Sequence, residues 1–173
     1  LGAAVSLPVS ITNSADPDAQ LLDVTPTTRA GATVTGTITG LAPGATDTTS
    51  IQVGLDTSKA GAQAGYVTLS AASDDGQGST TPILPPQIID VFGSVYRTAA
   101  PSVTAPASTI VHVGDPGTVS LTVANTAPAD GYSETLLASI ASTTGGFFPI
   151  NGASGPIAAG ASTSTLSVGF STS

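Results

Sequence analysis

Hydrophobic and polar residues alternate along most of this chain with a period of two. At the start, Val5, Leu7, Val9 and Ile11 are apolar, and the residues between them are mostly polar. Such alternation is typical of a β-strand with one buried face. Pro8 has no amide N–H to donate, so we expect this first strand at a sheet edge or beside a bulge. The same period predicts further strands over residues 20–24, 33–38, 50–55, 66–71, 88–96, 109–113, 119–124, 134–140, 146–150 and 165–170.

Glycine and proline interrupt this pattern about every 8 to 12 residues, the spacing expected of short strands joined by turns. No segment has a helical period, and residues 74–86, rich in Gly, Ser, Thr and Pro, are predicted to form a loop. In the strand over residues 88–96, we expect Ile89, Val91 and Val95 on one face and Asp90 and Phe92 on the other. Together these features predict an all-β fold, an antiparallel β-sandwich.

The strand pattern also repeats along the chain. Residues 119–127 resemble residues 7–15 at an offset of 112, and residues 165–173 resemble residues 50–58 at an offset of 115. The chain therefore contains about one and a half tandem units, an organisation that usually forms an extended array. We predict a first unit over residues 1–97 and a second over residues 98–173. An array favours a structural or binding role over a single deep active site.

The two units do not contain the same set of predicted strands. The first has no counterpart of strand 109–113, and the second has none of strands 66–71 and 88–96. A sandwich without its closing strands exposes an apolar face and unpaired backbone edges. Two explanations stay open: the chain is a segment of a longer polypeptide, or a neighbouring chain donates the strands. Head-to-tail donation between copies would build an open filament.

Two sets of segments carry a resemblance to a known family. In the second unit they are Val111–Gly114, Leu121–Asn125, Gly146–Phe148, Ile157–Gly160 and Leu166–Phe170, and in the first unit Gly40–Gly44, Ile51–Leu55, Ala60–Gly65 and Ile89–Tyr96. In this order they resemble the immunoglobulin-like ASPM–SPD-2–Hydin domains of bacterial choice-of-anchor D surface proteins. The resemblance implies an immunoglobulin-like sandwich within large secreted or surface-anchored proteins, and it implies no shared catalytic residues.

Composition narrows the possible functions. Charged residues make up 8% of the chain, against about 25% in typical soluble domains. The net charge is −8, with only three lysine and arginine residues; nucleic-acid binding, which needs basic patches, is therefore excluded. The absence of cysteine excludes disulfides and thiolate chemistry. No stretch has the roughly 18 apolar residues of a membrane helix, so we predict no membrane insertion.

Groups suited to catalysis or ligand binding are few. His112 is the only histidine and Glu134 the only glutamate, so we predict that the chain is not an enzyme and needs no cofactor. His112 is expected to face solvent. Three tyrosines could stack on a sugar, although packing at strand edges is the simpler expectation.

Calcium is the one metal for which the sequence offers candidate ligands. Asp16, Asp18, Asp74 and Asp75 lie in loops whose carbonyl groups could supply further oxygen ligands. Aspartates in turns also commonly accept hydrogen bonds from nearby backbone N–H groups.

Phe147 and Phe148 are candidate contact residues at an interface. Alternation places one ring inward and the other outward. Leu166, Val168 and Phe170 of the last predicted strand complete this candidate interface set.

From these features we expect a structural or adhesive module of a bacterial extracellular or cell-surface repeat protein. Its partners would be adjoining repeats of a longer chain or neighbouring copies of the same protein, which complete the sandwich. Two alternatives stay open: a self-assembling filament subunit that polymerises by β-strand donation, and a calcium- or carbohydrate-binding adhesin module.

Overall fold

The computed structural model describes residues 1–104 and 106–171, apart from the side chain of Leu84. These residues form strands and turns without any helix, which confirms the all-β prediction. The strands are β1 (Val5–Pro8), β2 (Ile11–Thr12), β3 (Leu21–Ala30), β4 (Ala32–Thr35), β5 (Ile38–Leu41), β6 (Thr46–Asp47), β7 (Gln52–Leu55), β8 (Gly61–Asp74), β9 (Thr80–Val95), β10 (Pro101–Thr104), β11 (Pro116–Asn125), β12 (Phe147–Asn151) and β13 (Ser162–Ser171). The chain divides into two compact parts, unit 1 (Leu1–Val95) and unit 2 (Tyr96–Ser173).

Unit 1 is a sandwich of two antiparallel sheets. The first sheet has the order β1-β7-β4, with β2 and β6 paired beside it, and the second has the order β5-β3-β8-β9. Ile51, next to β7, and Val67 of β8 are fully buried where the sheets face each other. The other buried members of this core are Val24, Ala32, Ile38, Val53 and Leu69.

Two edge strands of unit 1 contain prolines. β1, which contains Pro8, lies at the edge of its sheet, as predicted. The predicted loop over residues 74–86 is wrong beyond residue 79, because β9 begins at Thr80 and runs through Pro82, Pro85 and Pro86. β9 is also an edge strand, and an edge strand tolerates residues that cannot donate to a neighbour.

The alternation predicted for the end of β9 is confirmed. Val95 is buried and Ile89 and Val91 are partly buried, whereas Asp90 and Phe92 are exposed. The inner face of β9 therefore contributes to the core, and its outer face is open to solvent.

The single strand predicted over residues 33–38 is divided in two. Gly36 adopts a φ of +84°, and a Cβ at this position would collide with the carbonyl group of Ser50. The chain turns here, so that β4 joins one sheet and β5 joins the other. The left-handed backbone at Gly36 therefore ends the strand, although the residues on both sides of it alternate.

Unit 2 contains one four-stranded sheet in the order β10-β11-β13-β12. Its core is smaller than that of unit 1 and consists of Val123, Ile157 and Leu166 with their partly buried neighbours. The predicted strand 134–140 is not regular: it forms only isolated bridges, Leu136 with Ile157 and Ser139 with Ala153. The equivalent strand of unit 1, β3, is paired along its length with β8, and the described part of unit 2 has no counterpart of β8.

The opening strand of unit 2 also differs from the prediction. Residues 109–113 are not a strand, and β10 (Pro101–Thr104) occupies the edge of β11 instead. Alternation in Val111–Val113 was therefore a misleading signal, since a strand also needs a backbone partner.

The two units share their backbone register. Leu7 lies opposite Val53 in unit 1, and Val119 lies opposite Val168 in unit 2. These pairs are related by the offsets of 112 and 115 found in the sequence. The strand pair β11–β13 of unit 2 thus reproduces the pairing of β1 with β7 in unit 1.

Replacing Ile51 with alanine should destabilise unit 1 strongly. Its side chain has no exposed surface, and Ile→Ala in a core typically costs about 2–5 kcal/mol, including the cavity that is left. Urea unfolding monitored by circular dichroism measures the effect. Ile88→Ala is the matched control, because Ile88 is 64% exposed; equal losses for the two variants would contradict this description of the core.

Candidate functional site

Unit 1 contains a buried asparagine, Asn13, just after β2. Its Nδ2 donates hydrogen bonds to the carbonyl groups of Leu41 (2.9 Å) and Gln20 (3.3 Å), and its Oδ1 accepts one from Ala15 N (3.3 Å). Its backbone is bonded to the turn at residues 44–45. One side chain therefore connects the segments that lead into β3, out of β5 and towards β6.

Unit 2 repeats this arrangement around Asn125, which has no exposed surface. Its Nδ2 donates to the carbonyl groups of Glu134 (3.0 Å) and Ile157 (3.3 Å), and its Oδ1 accepts a bond from Ala127 N (3.3 Å). In addition, Ala100 N donates to Asn125 Oδ1 at 3.1 Å. The sequence repeat aligns the two asparagines, but alternation does not reveal that the side chains are buried and bonded.

The bond from Ala100 marks where the opening strand of unit 2 attaches. The carbonyl group of Ala100 accepts hydrogen bonds from Thr126 N (2.8 Å) and Thr126 Oγ1 (3.0 Å). From this point β10 pairs antiparallel with β11, with Pro101 opposite Asn125 and Thr104 opposite Thr122. Three hydrogen bonds and a short strand pairing thus hold the segment in place.

Unit 1 presents the same edge at residues 10–14. Asn13 Oδ1, Ser14 N and Ser14 Oγ correspond by the 112-residue offset to the three groups that bind Ala100 in unit 2. Within residues 1–104 and 106–171, no strand pairs with this edge of unit 1; β2 is paired only with β6, on its other side.

An apolar groove lies beside this open edge, between the edge strands of the two sheets. It consists of two cavities of about 330 and 340 Å³ that share Val9 and Ile89. We call it the unit 1 groove. Its apolar lining includes Leu7, Val9, Ile11, Leu69, Ile89 and Val91.

The core-facing side of the unit 2 sheet is only partly covered. Phe147 and Phe170 lie on this side, opposite each other in the sheet, with ring centroids 5.7 Å apart. Phe147 is 46% exposed, whereas Ala32, its counterpart in unit 1, is 5% exposed. The difference arises because β8 covers Ala32 in unit 1, and no described residue of unit 2 takes the place of β8.

The other residues of the predicted interface set lie in three environments. Phe148 lies on the outer face, over Gly169, where a Cβ would collide with the phenyl ring. Phe147 and Phe148 thus lie on opposite faces of the sheet, and both are about half exposed, at 46% and 49%. Leu166 is buried in the core of unit 2, and Val168 is partly buried. An intermolecular contact by this set stays a prediction.

The four predicted calcium ligands do not form one cluster. Asp16 and Asp18 are exposed, and Asp74 and Asp75 accept hydrogen bonds from N–H groups of the loop 76–79. The bonds from Gln77 N and Ser79 N lower the pKa of the Asp75 carboxyl group. Among the described residues, no three Asp, Glu or His side chains gather as a metal site. The calcium site stays a prediction.

The remaining polar residues of interest lie in unit 2. His112 is almost fully exposed, as predicted, with its Nδ1 3.6 Å from Asp115 Oδ2. Arg97 bonds Asp130 at 2.6 Å and lowers the pKa of that carboxyl group. The Arg97–Asp130 ion pair fastens the start of unit 2 to the loop after β11.

Comparison with protein-family models and with curated protein sequences found no match to this chain. Within the described residues, no helix has the length and apolar character needed to cross a membrane. The open edge and the unit 1 groove, together with the partly covered face of unit 2, are therefore interpreted from their geometry.

Replacing Asn125 with aspartate should destabilise unit 2 at neutral pH. The change keeps the shape but replaces two donated hydrogen bonds with a carboxyl oxygen that faces two carbonyl groups, a loss of at least about 2 kcal/mol. Burial raises the pKa of such a carboxyl group. Its folded pKa then exceeds its unfolded pKa, so the loss is small near pH 4 and grows as the pH rises.

Chemical denaturation of the full chain at several pH values measures this effect. Asn151→Asp is the control, because Asn151 is exposed and donates one bond, to Thr165 O. A loss for Asn125→Asp that is no larger than for Asn151→Asp, or that is independent of pH, would contradict the structural role of Asn125.

Proposed function

We propose that this chain is a non-catalytic structural or adhesive module of a bacterial extracellular or cell-surface repeat protein, with sandwich units completed by adjoining chain segments. One observation carries this proposal: unit 2 repeats the register of unit 1, but its described residues include no counterparts of β8 and β9. Its core-facing side is consequently only partly covered. The immunoglobulin-like assignment and the surface location rest on the sequence resemblance.

The exposed surfaces of both units support completion by further strands. Val103 is 65% exposed although it lies opposite the buried Val123, on the core-facing side of its sheet. Phe147 is exposed on the same side. Covering apolar surface contributes about 25 cal/mol per Å², and an added strand also pairs the free backbone groups of a sheet edge. Both gains favour a neighbouring segment over solvent.

The composition supports a location outside the cell. The chain has one lysine and two arginines, Lys59, Arg29 and Arg97, so proteases that cut after basic residues find few sites. Its surface is rich in small hydroxyl residues, which lose little side-chain entropy when they become ordered. A surface with few charged residues suits a module that extends or displays other parts of a protein.

A filament subunit is the second candidate, and one observation favours it. A single chain carries both an open groove in unit 1 and a partly covered face in unit 2. Such surfaces at two separate places allow heterologous contacts between copies, which build a fibre where the rotation between copies does not close a ring.

Supplying the closing strands in the same chain should stabilise unit 2. Residues 171–173 align with residues 56–58, so a second copy of residues 59–96 appended after Ser173 extends unit 2 as unit 1 is extended. We expect slower amide hydrogen exchange over β11 and β13, measured by mass spectrometry, with unit 1 unchanged. The control carries Val67→Ser and Leu69→Ser in the appended copy only, because these residues face the core in unit 1.

Equal exchange in the extended chain and in its control would contradict the proposal. Sedimentation velocity of the original chain separates the two candidates. Assembly that grows with concentration and is abolished by the extension favours strand donation between copies. A single species at all concentrations, with unit 2 protected only in the extended chain, favours completion by adjoining segments.

A further inference from the structure

We infer that the unit 1 groove binds an extended polypeptide segment with the residue pattern Ala-Ala-Pro-Ser-Val-Thr, found in this chain at residues 99–104. The segment pairs antiparallel with residues 10–13 and places a β-branched apolar side chain in the groove. The occupant is a partner segment of this chemistry from outside unit 1. This inference deepens the proposed function, on which it rests, because it states what completes the first unit.

Unit 2 provides the template for this binding. There β10 lies antiparallel on β11, with Val103 opposite Val123 and Ser102 opposite Ala124. Directly opposed residues of an antiparallel pair lie on the same face of the sheet. Val123 is buried, so Val103 also points to the core-facing side. The counterpart of Val123 in unit 1 is Ile11, which lines the groove.

The shape and chemistry of the groove fit a valine-like side chain. Next to Ile11 the cavity is lined mainly by aliphatic side chains, including those of Leu22, Val24 and Leu69. A side chain at the position of Val103 would enter this cavity of about 340 Å³. A carboxylate at this position would lose its hydration without a partner, so an acidic residue is disfavoured.

The polar groups of the edge fit the backbone that precedes this side chain. In unit 2, Ala100 N donates to Asn125 Oδ1, and the carbonyl group of Ala100 accepts from Thr126 N and Thr126 Oγ1. Unit 1 has the same three groups in the same order on Asn13 and Ser14, and Ser14 is exposed. The binding register is therefore fixed by hydrogen bonds at one end and by the apolar side chain at the other.

Disulfide trapping tests the register, because the chain has no cysteine of its own. Thr12 corresponds to Ala124, so it would lie opposite position 102 of the segment. Directly opposed Cβ atoms are about 4.5–5.5 Å apart, close enough for a disulfide after a small adjustment. The experiment mixes full-length Thr12→Cys protein with synthetic peptides of residues 98–104 in a glutathione redox buffer, at a concentration where sedimentation shows a monomer.

We expect the peptide with Ser102→Cys to form at least about tenfold more mixed disulfide than the peptide with Val103→Cys, whose thiol would point into the groove. Adding Val103→Asp to the Ser102→Cys peptide should lower the yield by about tenfold or more, since the burial of a valine side chain is lost. Ser14→Ala in the Thr12→Cys protein should lower it severalfold, because the hydroxyl donor is removed.

A second pair of opposed positions tests the same register if the Thr12→Cys protein fails to fold. Ser10 corresponds to Thr122, which lies opposite Thr104, so Ser10→Cys protein should trap the Thr104→Cys peptide in preference to the Val103→Cys peptide. Equal trapping at adjacent peptide positions, or trapping insensitive to Val103→Asp, would overturn the inference.

Failure of this inference is distinguishable from failure of the proposed function. Trapping reports on the edge of unit 1, whereas the appended strands act on hydrogen exchange in unit 2. Protection of unit 2 without register-specific trapping would refute the groove ligand alone.

Discussion

The fold of each unit depends on one buried asparagine. A buried amide has to satisfy its donors and its acceptor, because an unpaired polar group in the interior costs more than a hydrogen bond returns. Asn13 and Asn125 meet this requirement by bonding backbone groups from segments far apart in sequence. No buried side-chain nitrogen or oxygen in the described residues lacks a partner. The amide therefore fixes the positions of these segments relative to one another.

This constraint explains how unit 2 keeps the register of unit 1 with a much smaller core. Val123, Ile157 and Leu166 are buried, and the hydrogen bonds of Asn125 to the carbonyl groups of Glu134 and Ile157 hold the surrounding segments together. Phe147 and Val103, on the core-facing side of the same sheet, are exposed. In unit 1 the first sheet is covered by the second, in which β8 contributes the buried Val67 and Leu69 to the core.

Alternation in the sequence correctly predicted strands whose backbones are paired in the structure. It also predicted strands at places where the structure has no regular pairing. Ile89, Val91 and Val95 were assigned to the correct face, and the offset of 112 residues correctly related the two units. Residues 109–113 and 134–140 alternate equally well, but residues 109–113 form no strand, and residues 134–140 pair with residues 152–157 only through isolated bridges. The groove could not be predicted from alternation, because it depends on two edge strands being left uncovered.

The equivalence of the two edges has a kinetic consequence for this chain. β10 ends at Thr104 and β11 begins at Pro116, so their pairing closes a short loop, and closing a short loop loses little chain entropy. Local capture is also the faster process, since contacts between residues close in sequence form first. The strand therefore partitions to β11, and the edge at Asn13 is left available.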